Sequence, residues 1–322
     1  WKGNPYPTGA ERLALNEEEP VLRTRHVSCF LRLIEKAETA DLDPSVVQLR
    51  RLIDDDIHNI RAALAWAMKH DVQAALLLTA PLLHWFGQRG PHAEGRRLMN
   101  EAFALPGASA HTIPRAKTLL EAGVLMYYYR ENALAQSYED EVIAISQELK
   151  YDKGIADALL FLGRIAMSGW FDQTAARQYY EQATAIYRKL DDPDGVSYAL
   201  VLLAWVDFSR ADYPRARAMA EECLTVAQQA GFRFPTPLGI LGDLAYAEGD
   251  LDQARLLHEQ RLAIERQRGE VNPHTFIELA MVATRQGDFI AAHAFLDEVF
   301  ARLKGYRHVD DVFYVCDCYL LL

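Results

Sequence analysis

The chain has 322 residues, half of them hydrophobic and a quarter charged, and a net charge of −11. This is the composition of an ordinary soluble globular protein, and the acidic balance argues against broad binding to nucleic acid or to anionic membranes, both of which need a basic face. Residues 1–20 lack the apolar stretch of a signal peptide, and the apolar run 198–206 is far short of the ~20 residues a bilayer span needs, so the expected compartment is the cytoplasm.

Residues 1–20 carry Gly3, Pro5, Pro7, Gly9 and Pro20 and read as an irregular lead-in. A helix is expected over 21–40, where Phe30, Leu31, Leu33, Ile34 and Ala37 share one face. Asp43 and Pro44 begin a second helix, which Val46, Leu49, Ile53, Ile57, Ile60, Leu64 and Ala67 carry to Lys69. These two make a helical linker segment over 21–70. A further helix covers 72–88 and turns at Gly90-Pro91.

From residue 71 the chain becomes periodic. Small residues recur at Gly95, Ala135, Ala176, Ala216, Ala254 and Ala292, at intervals of 40, 41, 40, 38 and 38 residues. Three positions after each stands a large apolar residue: Leu98, Tyr138, Tyr179, Met219, Leu257 and Phe295. A period of this length marks an array of stacked helix pairs, each packed only on its neighbours. The first helix of a pair (A) has its own small residue about twelve before the landmark of the second (B): Gly123, Gly163, Ala204, Gly242 and Ala280, with Leu83 departing from the pattern. Small residues at both sites let the paired helices approach closely. Gly249-Asp250 and Gly287-Asp288 turn within units, and 231–237, 269–273 and Gly305 turn between them. The apolar run 312–322 reads as the first helix of a truncated repeat, so the array spans 71–322.

The chemistry-bearing residue types have structural readings. Cys223 lies seven residues after Ala216, in a slot also held by Ala102, Val142, Ala183 and Val299, and reads as core. Cys316 and Cys318 point about 200° apart on a helix and cannot chelate one ion; His308, Asp310 and Asp311 read as solvated turn residues. Asp54, Asp55 and Asp56 read as a solvated face, and His258-Glu259 lacks the second histidine of a zinc-protease helix. No metal site, cofactor or catalytic residue is expected, and the chain is not expected to be an enzyme.

Helix B resembles the tetratricopeptide repeat, as in Gln173-Thr174-Ala175-Ala176-Arg177-Gln178-Tyr179-Tyr180-Glu181-Gln182-Ala183 and in Gly249-Asp250-Leu251-Asp252-Gln253-Ala254-Arg255. The spacing of 38–41 exceeds the common 34. Upstream, Arg25-His26-Val27-Ser28-Cys29-Phe30-Leu31 is followed by Asp56-Ile57-His58-Asn59-Ile60-Arg61-Ala62-Ala63-Leu64-Ala65-Trp66 and by Gly95-Arg96-Arg97-Leu98. Together these resemble the segment that joins the winged-helix part to the repeat sensor in bacterial signal-transduction ATPase (STAND) regulators, similar to the maltose-responsive activator and AfsR-like regulators. The chain has no Gly-x-x-x-x-Gly-Lys-Ser/Thr loop and no assignable DNA-binding helix-turn-helix, so nucleotide and DNA functions would belong to other domains of a larger regulator.

The resemblances imply an all-α, right-handed superhelix of tetratricopeptide-like helix pairs with an N-terminal helical segment. They imply that helix A lines a concave groove. Carried over residue by residue, the groove positions are Tyr127 and Tyr128, Arg164 and Met167, Trp205 and Phe208, Asp243 and Tyr246, and Met281 and Arg285. Aromatic faces stack on sugars, bases or side chains, arginine forks onto carboxylate or phosphate, and Asp243 accepts from hydroxyls or amines. The expected function is a non-enzymatic ligand-sensing domain that binds a small metabolite or peptide in the groove and controls a larger signalling ATPase or transcriptional regulator. The alternative is a scaffold that binds a partner helix or tail along the same face.

Overall fold

The computed structural model describes residues 19–38, 42–170, 172–269 and 271–303. Among them every regular element is helical. In chain order these are α1 (Glu19–Glu38), α2 (Leu42–His70), α3 (Val72–Arg89), α4 (His92–Phe103), α5 (Ile113–Tyr128), α6 (Asn132–Leu149) and α7 (Asp152–Ile165). A π-helical turn, Ala166–Trp170, precedes α8 (Gln173–Lys189), α9 (Pro193–Ser209), α10 (Tyr213–Gln229), α11 (Thr236–Glu248), α12 (Leu251–Arg268), α13 (Pro273–Gln286) and α14 (Phe289–Leu303). The lead-in expected over 1–20 lies outside the described residues except for Glu19 and Pro20, which open α1. The expected last half-repeat, with Cys316 and Cys318, lies outside them entirely.

The repeat period fixes where each helix B begins. An aspartate stands four residues before the landmark alanine in four units: Asp172, Asp212, Asp250 and Asp288. Each caps its helix, its carboxylate accepting from a first-turn amide such as Thr174, Arg215, Gln253 or Ala291. Such a cap contributes about 1 kcal/mol. Helix ends are set by residues in the left-handed region, where glycine has no Cβ penalty: Gly249 at φ 88°, Gly269 at 72° and Gly287 at 76°. The landmark residues themselves are all buried.

The chain divides into two compact units, residues 1–165 and 166–322. In the first, α3 pairs with α4 and α5 with α6, and the A helices pack in series, α3 on α5 and α5 on α7. Its core includes Ile60, Leu64, Leu82, Phe86, Leu125 and Met126. In the second, α9 pairs with α10, α11 with α12 and α13 with α14, and again α9 packs on α11 and α11 on α13. The last pairs close over Leu262, Phe276, Ile277, Leu296 and Val299. Within each unit, polar ties join neighbouring repeats. Arg96–Glu131 and His111–Glu148 do so in the first, and Arg188–Glu222, Arg217–Glu248 and Arg255–Asp288 in the second. Each links residues 31 to 37 apart, about one repeat.

Candidate functional site

The end of α5 and the end of α7 bring three of the expected groove residues together in the first unit. The Arg164 guanidinium lies 5.6 Å from the centre of the Tyr127 ring and 5.1 Å from that of Phe161. Tyr127 meets Phe161 at 5.6 Å and Tyr128 at 5.8 Å, both edge to face. Tyr127, Tyr128 and Arg164 all keep part of their surface in solvent. Such a partly exposed cation–aromatic cluster contributes about 0.5–1 kcal/mol per contact and presents a rim of ring edges and N–H donors.

In the second unit, Trp205 and Phe208 meet edge to face at 5.8 Å on α9, and Phe208 also lies 5.7 Å from Tyr213, the first residue of α10. Both rings remain partly exposed. Arg285 of α13 sits over Tyr246 of α11 at 4.6 Å, and its Nη1 donates to the Tyr246 carbonyl oxygen at 3.1 Å. Met281 is partly buried against the α13–α14 core, and Met167 is partly buried in the π-helical turn.

Asp243 belongs to a different arrangement. It faces a buried ionic cluster built by α11, α12 and α13. Asp243 Oδ1 is 3.7 Å from His258 Nε2, and His258 Nδ1 is 3.3 Å from Glu278 Oε2. Arg261 donates through Nε to Glu265 at 2.8 Å and through Nη1 to both oxygens of Glu278, at 2.9 and 3.2 Å. His274 Nδ1 is 2.7 Å from Glu278 Oε1. Glu265 also accepts from the Thr275 hydroxyl and from the Asn272 amide. His258, Arg261, Glu265 and Glu278 are all buried. Glycines on α11 make the room: a Cβ on Gly239 would come within 2.3 Å of Arg261 Nη1, and one on Gly242 within 2.6 Å of His258 Cε1.

Two adjacent carboxylates, Glu278 buried and Asp243 partly so, do not ionise alike, and their environments separate them. Burial and the negative charge of Glu278 raise the Asp243 carboxyl, against the pull of His258, His274 and Arg261. Burial would also raise Glu278, but the imidazoles of His258 and His274 and the Arg261 guanidinium hold it well below the usual carboxylate range. Burial disfavours a charged His274, yet its hydrogen bond to Glu278 prevails and raises it.

Sequence reasoning passed over this cluster, although the repeat period points to it. The position four after each landmark is buried in every unit: Met99, Glu139, Tyr180, Ala220, His258 and Leu296. The position seven after is also buried, as Ala102, Val142, Ala183, Cys223, Arg261 and Val299. His258 and Arg261 are thus charged types in two core slots of one helix. Cys223 confirms the core reading of its slot. It is fully buried, its Sγ donates to the Ser197 carbonyl at 3.2 Å, and burial pushes the thiol up to about 12.

Glu139 is the other polar residue in these slots. It is fully buried, and neither oxygen has a hydrogen-bond partner among the described residues. Its carboxyl fills the space over Gly123, where a Cβ would stand 2.0 Å from Oε1. Burial, and then Glu121, Asp157 and Asp140, raise it well above the ordinary value. The folded state therefore holds a proton that the unfolded chain releases above the usual carboxylate range, and stability falls as pH rises through the window between the two values. As pH rises above the usual carboxylate range, wild type is expected to lose stability relative to Glu139→Gln, a trend that urea midpoints at an acidic and a neutral pH check. Parallel pH dependence in the two proteins would show that Glu139 ionises freely.

No family model matches the chain. A curated relative from Mycobacterium tuberculosis (strain ATCC 25618 / H37Rv), named "Putative HTH-type transcriptional regulator", is 25% identical over 225 residues, which cover 67% of this chain and 25% of the relative. The chain therefore spans about a quarter of the length of the curated relatives it matches. Among solved structures, the apo quorum sensor NprR from B. thuringiensis superposes with a TM-score of 0.59 at 15% identity, covering 95% of this chain and 81% of that one. NprR in complex with its cognate peptide NprX superposes with a TM-score of 0.58 at 16% identity, covering 87% and 81%. The fold is that of tetratricopeptide-like helical-repeat proteins. No helix among the described residues is long and apolar enough to cross a membrane.

Proposed function

We propose that this chain is the non-enzymatic, ligand-sensing arm of a larger transcriptional regulator, binding a peptide or small metabolite on the exposed edge of its A helices. The observation that carries this reading is the row of partly exposed aromatic and arginine side chains on successive A helices of one unit: Trp205 and Phe208 on α9, Tyr246 on α11 and Arg285 on α13. Aromatic walls with a few placed polar groups suit a small ligand, and rings with arginines are the side chains that anchor peptides. Support comes from the HTH-type name of the curated relative and from the peptide complex of the structurally similar NprR. Control of a STAND-type ATPase is the finer form of the proposal, and it rests on the linker resemblance over residues 25–66.

The test is a thermal-shift screen of the chain against sugars, nucleotides, amino acids and short peptides. A ligand at one hundred times its dissociation constant adds about 2.7 kcal/mol of stability. Trp205→Ala and Arg285→Ala are each expected to weaken a peptide or metabolite hit by about 10-fold or more, with unchanged helicity. Arg164→Ala reports separately on the face of the first unit. Wild-type affinity in both second-unit variants would remove that face from the assignment, and silence across the screen would favour a protein partner along the same face.

A further inference from the structure

The buried cluster of α11, α12 and α13 has a composition that ligand sensing on the exposed face does not use. We infer that Asp243, His258 and Glu278 form a binding site for a single first-row divalent cation of the zinc class. The geometry and the packing point the same way.

One ligand atom from each residue lies within 4.8 Å of the other two. An ion bound at about 2.1 Å takes neighbouring ligands about 3.4 Å apart, so closing the shell needs a contraction of up to about 1.4 Å. The His258 ring is only 1% exposed, yet its Nδ1 has no aligned hydrogen bond and its Nε2 stands 3.7 Å from Asp243. A buried imidazole ordinarily has both nitrogens engaged, whereas this ring lies 3.3 Å from Glu278 and 3.7 Å from Asp243 with no aligned bond at Nδ1. Gly242 gives the ring its place, since a Cβ there would stand 2.6 Å from Cε1.

Asp243, Glu265 and Glu278 face one permanent cation, Arg261. Glu265 is committed to Arg261, Thr275 and the Asn272 amide, so Arg261 keeps a partner when Glu278 turns an oxygen to the ion. His274 on Glu278 Oε1 is the orienting contact that metal-binding carboxylates ordinarily have. One imidazole with two carboxylates suits zinc, manganese, iron or nickel better than magnesium, which demands oxygen ligands in a regular octahedron. Asp243, with 19% of its side chain exposed, is the open edge through which the ion enters.

The experiment uses the untagged full chain with Cys316→Ser and Cys318→Ser, stripped with chelator and titrated with zinc chloride by calorimetry. The expected result is one zinc per chain and a higher Tm, with no comparable rise from magnesium chloride. His258→Gln and Asp243→Asn are each expected to weaken zinc by about 100-fold, and His274→Gln by about 10-fold. Because the variants alter a buried cluster, cobalt chloride is added to the parent protein as a spectroscopic probe. Visible d–d bands without thiolate charge transfer place the ion on nitrogen and oxygen. Absence of stoichiometric zinc binding, equal binding in the His258→Gln and Asp243→Asn variants, an equal response to magnesium, or a cobalt spectrum of the free aquo ion would each overturn the site. None of these outcomes bears on ligand binding at Trp205 and Arg285, so the two readings stand or fall separately.

Discussion

Arg261→Ala is expected to destabilise the second unit by about 3–5 kcal/mol. The guanidinium is 7% exposed and is shared by Glu265 and Glu278, themselves 5% and 4% exposed. Burying ions is costly, and the cost is recovered only while each charge keeps its partner. Removing Arg261 leaves two buried carboxylates facing each other across the space that Gly239 provides. Most of the loss comes from those stranded carboxylates rather than from the missing contacts. Arg261→Lys is expected to recover only part of it, because a single ammonium cannot fork between two carboxylates as a guanidinium does. Urea unfolding followed by circular dichroism gives the magnitude, and amide exchange at α11, α12 and α13 gives the location. A loss below about 1 kcal/mol, or one spread evenly over both units, would mean that the cluster is solvated and adds little.

Tyr187→Ala is expected to cost about 3–5 kcal/mol, the usual penalty for emptying a buried aromatic site. Tyr187 closes the α8–α9 contact with only 2% of its surface exposed. Its ring lies against Gly195 so closely that a Cβ there would stand 2.2 Å from Cδ1. The same contact makes Gly195→Ala unfavourable by about 1–3 kcal/mol, this time through overpacking. The two substitutions act on one packing surface from opposite sides, so the double variant is expected to cost less than the sum of the singles. Strict additivity in the urea midpoints would show that ring and glycine do not interact.

The repeat landmarks made the fold readable. A small residue at one helical position must be buried for two helices to approach, and all six landmarks are buried. The same periodicity placed the A helices and, through them, the rings that Arg164 and Arg285 cover. It could not show that Arg285 lies over Tyr246, because that contact joins helices 39 residues apart. Nor did it expose the ionic cluster. His258 and Arg261 look like surface residues when α12 is read alone, and their identity as core residues emerges only when its slots are compared with those of the other B helices. Their partner Glu278 lies on the next A helix, 17 residues beyond Arg261, where no local pattern marks it. Asp243 was singled out as a groove acid, but sequence could not reveal that His258 stands beside it.

The polar ties between repeats carry a further meaning. Exposed ion pairs such as Arg188–Glu222 and Arg217–Glu248 contribute little energy, about 0–1 kcal/mol each. Among the described residues these two ties reach only 34 and 31 residues along the chain, about one repeat. A helix pair leaving the ribosome therefore finds every tie it makes backward already synthesised, and waits only for the next pair to cover its forward face. Folding of this kind follows translation one repeat behind. At each moment the sticky surface shown to the cell is then the edge of a single helix pair rather than the core of a whole domain.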